Sequence, residues 1–394
     1  MISNGVKSLD RQTDRQTDRQ TDRQTDRQTD RQTLYNSFQI YGIEFDKKQT
    51  NMAKGIALLL LLWHHLFFNN PEYYNRFISI FSIKGIPVES FIADFCKVCV
   101  AIFLLLSGYG LFKSYESFMR KIKTKAKFGL KEDLIFIKNH LIKLMSGYWL
   151  IYVIFVSMGF FFNRNPIEIY KGNIINCLLD FFGLANIFNT PTMNETWWFM
   201  SLIILLYILY PILHKVIKYS PEILLLFSFF ILIFYFFPDL AGLRIYLFPF
   251  VLGMYFAKSD LFSKIQARLD NVLKIFMVSF LALAVTSWLK LTIFLKSVEI
   301  DGFFGVSIIC ISFLILSRIP FVNKILENLG KHSGSIFMFH TFILSYYFKD
   351  FIYSPKYSVL VFLFLAVICY FIAVIISYIK RVIRYDKLFY LLQK

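Results

Sequence analysis

The sequence predicts an all-α membrane protein, a polytopic bundle of about ten transmembrane helices. Hydrophobic residues make up 57% of the 394, phenylalanine alone occurs 47 times, and the mean hydropathy is +0.54. Apolar stretches near the ~20 residues that a helix needs to cross a bilayer recur along the chain. A soluble domain would alternate polar and apolar faces, so this composition indicates a protein whose solvent is the lipid bilayer.

The first 43 residues differ from the rest of the chain. Residues 10–33 are six copies of Asp-Arg-Gln-Thr without an apolar residue. Such a segment buries no core, and its period places like charges one helical turn apart. We therefore expect 1–43 to be a disordered tail and 44–394 to be the membrane domain. No basic-then-apolar leader with a cleavage site precedes the first apolar stretch, so we expect that stretch to be a true span.

Ten apolar stretches are candidate spans. They are residues 53–68, 95–112, 141–162, 197–213, 223–237, 245–257, 272–289, 303–316, 335–348 and 358–379. The sixth, eighth and ninth are short and extend into their flanks if they cross the bilayer.

The distribution of charge predicts how these spans are oriented. The net charge of +17 would suggest a nucleic-acid partner in a soluble protein, but in a membrane protein the position of Lys and Arg matters more. Residues 113–138 carry eight Lys or Arg against three acidic residues, and Lys380, Arg381 and Arg384 follow the last span. The alternate loops carry fewer Lys and Arg residues. This asymmetry predicts a multi-pass inner-membrane protein with both termini in the cytoplasm and no nucleic-acid partner.

Two further features leave alternatives open or predict an absence. The longest external loop, 163–196, contains an amphipathic stretch, 174–182, which either lies on the membrane surface or lines a substrate groove. Cys96 and Cys99 form a Cys-x-x-Cys pair, but a zinc site needs four ligands and no second pair is near in sequence. We therefore expect neither a metal nor a disulfide framework.

A histidine in the first span is the strongest candidate for chemistry. His65 follows Lys54 by eleven residues, about 16 Å along a helix, which places its imidazole near the middle of the bilayer or just outward of it. Polar groups at that depth are expensive and call for a function. A neutral imidazole can accept a proton from a hydroxyl, or it can bond a neighbouring helix. His64 points about 100° away, so the two rings are not expected to hold one metal.

The second span ends in Ser107-Gly108-Tyr109-Gly110. Small residues in an apolar helix permit close helix packing. They equally permit a ligand to approach the backbone, in which case Tyr109 offers a hydroxyl.

Together these features resemble the acyltransferase-3 family, ten-span membrane enzymes that O-acetylate lipopolysaccharide, capsule and other surface sugars. The resemblance covers about residues 44–380. It rests on four motifs in order: Lys54 and His65 with ten residues between them, Ser107-Gly108-Tyr109, Thr196-Trp197-Trp198-Phe199 leading to Tyr207 and Pro211, and Leu329-Gly330-Lys331-His332-Ser333 followed by His340.

The chain departs from the family pattern at several positions. Ala101, Ile203 and Ile204 stand where many members have acidic residues. At the start of the third span many members have Arg, where this chain offers Lys138, His140 and Lys143.

The resemblance implies a donor, an acceptor and roles for individual residues. The donor would be acetyl-CoA from the cytoplasm and the acceptor a surface glycan, with no metal involved. His65 would be the general base and Lys54 the best candidate for a contact with CoA. The further candidates are Lys138, His140 and Lys143 for CoA, and Ser107, Tyr109, Trp198 and His340 for the acceptor. The basic cluster is explained equally by topology alone.

Two other classes of function are compatible with a helical membrane protein. A flippase or exporter would move a lipid-linked sugar or an acyl group without transferring it, but matching halves with broken helices are not visible in the sequence. A structural scaffold leaves the spacing of Lys54 and His65 unexplained.

The N-terminal repeat predicts phase-variable expression. Asp-Arg-Gln-Thr can be encoded as GAC-AGA-CAG-ACA, which is the tetranucleotide GACA, and a four-base unit read in triplets yields a four-residue period. Slippage by one unit then shifts the frame of the whole membrane domain. We expect uninterrupted GACA units in the gene and unit numbers that differ between colonies, as sequencing would show. Synonymous codons that vary from copy to copy would contradict the prediction.

Overall fold

The protein is an almost entirely helical bundle. The computed structural model describes residues 46–68, 70–122, 130–234, 238–261, 264, 272–292, 301–316 and 319–393. The predicted disordered tail, with its repeat, lies outside the described residues. A two-residue hairpin pairs β1 (Ser82–Ile83) with β2 (Ile86–Pro87) in antiparallel register, and Lys84 and Gly85 both adopt the positive φ angles that such a tight turn requires.

The described helices fall into long elements and short connecting ones. The long helices are α1 (Lys47–Phe67), α4 (Cys99–Ile122), α5 (Leu130–Met158), α8 (Trp198–Tyr219), α9 (Pro221–Ile233), α10 (Leu243–Ser259), α11 (Val272–Thr292), α12 (Asp301–Leu316), α13 (Pro320–Thr341) and α15 (Ser358–Val382). The short helices are α2 (Pro71–Tyr74), α3 (Val88–Cys96), α6 (Pro166–Ile169), α7 (Ile174–Phe181), α14 (Lys349–Tyr353) and α16 (Tyr385–Gln393).

Four helical stretches of the described residues are long and apolar enough to cross a membrane. They are Val88–Ile122, Leu130–Met158, Glu195–Tyr219 and Ser358–Val382. Three shorter apolar helices are Pro221–Ile233, Phe276–Leu289 and Asp301–Ser312. Nine of the ten stretches predicted as spans fall mainly on long helices, and the remaining one, 335–348, is divided between α13 and the π-helical turn that follows it, which confirms a helical membrane protein. The count of ten crossings stays a prediction, since six of these helices are shorter or more polar.

Basic residues from seven long helices gather at one end of the bundle, which we call the basic end. Three contacts tie it together: Lys113 with Asp260 at 2.7 Å, Lys215 with Asp133 at 4.0 Å, and the Lys258 amine with the carbonyl of Lys218 at 2.7 Å. Helices α1, α5 and α13 begin at this end, whereas α4, α8, α10 and α15 end there. That alternation is consistent with the direction predicted for these seven helices from charge alone.

Helices α1 and α13 run parallel and approach each other at their backbones. A Cβ atom built on Gly55 would overlap the carbonyl oxygen of Leu326, and one built on Gly330 would overlap that of Asn51. Glycine removes the side chain that would keep the helices apart, as small residues do in other membrane helix pairs. The same device joins α4 to α10, where Gly108 faces Phe250 and Gly253 faces Leu105.

The packing of α1 on α13 can be tested with matched glycine variants. Gly330→Ala forces a methyl group into the backbone of α1, and overpacking of this kind costs about 1–3 kcal/mol. We expect a lower melting temperature for the detergent-purified protein. Gly334→Ala is the control, one turn further along α13, because nothing lies within 4 Å of its added methyl. Equal melting temperatures for the two variants would contradict the account of this interface.

Candidate active site

The structure brings together the two histidines that the sequence placed in different motifs. The ring centroids of His65 on α1 and His340 on α13 lie 4.9 Å apart, with the ring planes tilted by 57°. Both helices start at the basic end, and the pair lies toward their opposite end. His65 is half-buried, whereas His340 is completely buried.

His64 has a different environment from its neighbour. Its Nδ1 lies 2.8 Å from the carbonyl oxygen of Ala93 on α3 and therefore donates to it. The adjacent Trp63 donates its indole N–H to the carbonyl of Glu89, also on α3. His64 thus helps to fix the end of α1 against α3, and His65 is left to face His340.

The hydrogen bonds of His340 define its tautomer. Its Nδ1 lies 3.1 Å from the carbonyl oxygen of Ile336 and 2.9 Å from that of Phe337. Carbonyl oxygens only accept, so Nδ1 carries the hydrogen and Nε2 presents a lone pair. Nε2 is buried and has no hydrogen-bond partner within the described part of the chain. Buried acceptors are nearly always paired, so this lone pair is available to a donor on a neighbouring group, and the ring of His65 is beside it.

The helix that carries His340 changes its winding directly after the histidine. A π-helical turn, Phe342–Tyr347, follows α13. Such turns are rare and occur frequently at functional sites. Here the turn shifts the register of the chain immediately beyond Thr341.

Asn194 connects the loop at 163–196 to this part of α13. Its amide nitrogen donates to the carbonyl of Met338 at 3.2 Å, and its Oδ1 accepts from the hydroxyls of Thr196 and Thr341, both at 2.8 Å. The Trp197 indole donates to the same Met338 carbonyl at 2.8 Å. These bonds attach the start of α8 to Met338 and Thr341, which both lie within two residues of His340 on α13.

Asp180 holds the loop at 163–196 together through hydrogen bonds. Its carboxylate accepts from the Tyr170 hydroxyl at 2.8 Å, the Thr192 hydroxyl at 2.8 Å and the Met193 N–H at 2.9 Å. Burial raises the pKa of the Asp180 carboxyl to about 6, while these three donors lower it.

The amphipathic stretch at 174–182 has one apolar face outside the protein. Ile174, Ile175, Leu178 and Phe182 are exposed, whereas Asp180 points inward and is 1% exposed. The inward side contributes to a small cavity beside Trp197. The stretch thus exposes four apolar side chains and lines a small cavity with Asp180, and its contact with the membrane or with a substrate stays a prediction.

Trp198, a predicted acceptor contact, stacks on Tyr246 of α10 with ring centroids 5.3 Å apart. Both residues line an open cavity of about 520 Å³ at the end of the bundle opposite the basic end. The indole of Trp197 turns to α13 instead. Adjacent tryptophans thus serve the helix interface and the cavity separately.

Ser107 and Tyr109 lie nearer the basic end than the histidine pair. The α4 residue that packs toward His340 is Phe103, whose ring centroid is 5.7 Å from that of Phe337. Tyr109 lies about 9 Å further along α4, with the Lys113 amine 5.8 Å from its ring centroid. Gly108, between Ser107 and Tyr109, serves the close packing on α10.

The residues predicted to contact CoA gather at the basic end. Lys54 is half-buried and lies within electrostatic reach of Lys143, which is exposed, as is Lys138. The ring of His140 is half-buried, donates from Nδ1 to the Phe136 carbonyl at 2.9 Å, and has Nε2 3.4 Å from the Ser114 hydroxyl. The structure therefore places these four side chains at the basic end. Lys54, the one on the same helix as His65, lies about 16 Å from it along the helix axis.

The cysteines of the Cys-x-x-Cys pair lie inside the protein. Cys96 and Cys99 are buried and form no disulfide. Over the described ranges, no three His, Cys, Asp or Glu side chains are placed to share a metal ion.

Comparison with known protein families gives a match over most of the chain. The family model for acyltransferase-3, described as an acyltransferase domain, matches residues 48–380. No curated protein and no solved structure matches significantly.

Proposed function

Because the chain belongs to the acyltransferase-3 family, we propose that it is a membrane O-acetyltransferase that moves an acetyl group from acetyl-CoA to a hydroxyl of a cell-surface glycan. Lipopolysaccharide or capsule is the proposed acceptor. The match covers nearly all of the membrane domain. The acyl group, the donor and the acceptor are the proposed parts.

The observation that carries this proposal is the pair of His65 and His340. A neutral imidazole inside a membrane protein is costly unless it is bonded or used. Here His340 presents an unpaired Nε2 lone pair next to the ring of His65. If a nitrogen of His65 donates to that lone pair, its other nitrogen is available as a base. His340 is thus a positioning residue, and His65 is the proposed catalytic residue.

The proposed reaction needs two proton transfers, the first from the acceptor hydroxyl to His65 and the second from His65 to the leaving thiolate. His65 removes the proton from the acceptor hydroxyl as the oxygen attacks the thioester carbonyl. The C–O bond of the new ester forms, the C–S bond to CoA breaks, and the proton passes from the imidazolium to the leaving thiolate. Protein dipoles near the carbonyl oxygen would stabilise the oxyanion that develops.

The donor is proposed to enter from the basic end. Positive charge at this end would attract the phosphates of CoA, and the positive-inside rule makes it the cytoplasmic end. Lys54 would contact CoA, supported by Lys138, His140 and Lys143. The arm of CoA that carries the thioester would then extend from Lys54 toward His65. This orientation corresponds to an inner-membrane protein with both termini in the cytoplasm.

Expression is proposed to be phase-variable. The basis is the tetrapeptide repeat, which lies outside the described residues, so the proposal rests on the sequence alone. Acetylation hides or reveals surface epitopes, and switching would suit an enzyme of this kind.

The role of His65 can be tested in membranes supplied with radiolabelled acetyl-CoA. His65→Ala should lower transfer of label to the glycan fraction by at least about 10²-fold, since general-base catalysis contributes that much. His64→Ala is the matched control and should be milder, because its ring bonds Ala93 on α3. Protein abundance in the membrane is measured for each variant.

Two outcomes would overturn the proposal. Wild-type transfer by His65→Ala at equal abundance would exclude His65 as the base. A second outcome would favour an exporter instead. In that case the wild-type protein transfers no label, and the glycan reaches the cell surface only when the protein is present.

A further inference from the structure

The cavity at Trp198 has walls of a composition that suits a sugar. It has a volume of about 520 Å³ and lies between the loop after α7 and the turn that precedes α10. Two amides, Asn186 and Asn189, line one side, and the stacked rings of Trp198 and Tyr246 line another. Binding pockets for small ligands combine apolar or aromatic walls with a few polar groups in this way, in the range of about 300–1,000 Å³.

Each wall matches one part of a pyranose ring. The C–H groups of a sugar ring carry a slight positive charge and suit the negative face of an aromatic ring. The side-chain amides of Asn186 and Asn189 both donate and accept, as ring hydroxyls do. Gly242, at φ +82°, also lines the cavity, and a Cβ atom added there would lie 3.1 Å from the Trp198 ring and 3.2 Å from the Tyr246 ring, so glycine leaves room for both rings.

The charge of the cavity selects among sugars. Among the described residues that line it, Asp239 is the one with a charged side chain. Its Oδ1 accepts from the N–H of Arg244 at 3.0 Å, which fixes the carboxylate at the start of α10. A uronic or sialic acid would place a second carboxylate near it, and like charges brought together in a binding site oppose binding. A sugar without a charge meets no such penalty.

A narrower cavity adjoins the first one. A second, narrower cavity of about 40 Å³ shares Asn186, Asn189 and Trp198 with it and reaches Asp180 and Trp197. The indole of Trp197 donates to Met338, two residues before His340. The narrow part has room for a hydroxyl or a water but not for a sugar ring.

We propose that the Trp198 cavity binds the acceptor glycan through an uncharged sugar ring, and that it discriminates against acidic sugars. The inference rests on the proposed function, in which the acceptor is a glycan. It adds the location of the acceptor site and the class of sugar.

Binding can be measured without the acetyl donor. Full-length protein in lipid nanodiscs is titrated with the methyl glycosides of glucose and N-acetylglucosamine, and with methyl glucuronide and N-acetylneuraminic acid, by saturation-transfer difference NMR. We expect at least one neutral glycoside to bind at least about fivefold more tightly than either acid. Trp198→Ala should weaken that binding by about 2- to 10-fold, the range for an aromatic contact worth about 0.5–1.5 kcal/mol. Asp239→Asn should narrow the preference for neutral sugars.

The controls separate a binding effect from misfolding. Trp288→Ala removes a tryptophan that is 59% exposed on α11 and should leave binding unchanged. Trp198→Phe keeps an aromatic face and should retain more binding than Trp198→Ala. Melting temperatures are recorded for all variants.

The outcomes of this experiment are distinct from those of the transfer assay. Undetectable binding of every sugar, a preference for the acids, or equal binding by wild type and Trp198→Ala would overturn the inference. If the neutral sugar binds as expected but no label moves from acetyl-CoA to glycan, the proposed function fails and the binding site stands. If label is transferred and Trp198→Ala leaves the KM for glycan unchanged, the site alone is rejected.

Discussion

The close backbone contact between α1 and α13 is the constraint on which the candidate site depends. Near the basic end Gly55 and Gly330 bring the two helices together. Fourteen residues further along each helix from Asn51 and Leu326, about 21 Å at helical rise, stand His65 and His340. Because the helices run parallel and in register, both rings reach the same depth. A larger residue at either glycine would separate the imidazoles before any catalytic group had been changed.

The helices could be predicted from the sequence, whereas the partner of His65 could not. Hydropathy indicates where helices form, and eleven residues from Lys54 indicate a depth. The contact with His340 depends on how helices far apart in the chain pack, and the tautomer of His340 depends on the carbonyls of one turn. Asn194 was missed because its sequence signal, a polar residue before a helix, predicts an N-cap and nothing about Met338.

The two ends of the bundle differ in the chemistry they present. The basic end collects amines from Lys54 and Lys143, which suit a phosphorylated donor. The opposite end presents a cavity lined by Trp198 and, as the one charged side chain among its described lining residues, by Asp239, which suits an uncharged alcohol. The resemblance predicted Trp198 as an acceptor contact. Its stacking on Tyr246 and the neighbouring asparagines became visible only in the fold, because they come from separate loops.

In the proposed mechanism, the donor and the acceptor reach one histidine pair from opposite sides of the membrane. Sealed vesicles of each orientation, given external radiolabelled acetyl-CoA that does not cross the bilayer, test it most directly. The account predicts that glycan inside inverted vesicles, whose basic end faces outward, is acetylated, and that right-side-out vesicles become active only after they are opened. Equal labelling in sealed vesicles of both orientations would contradict it.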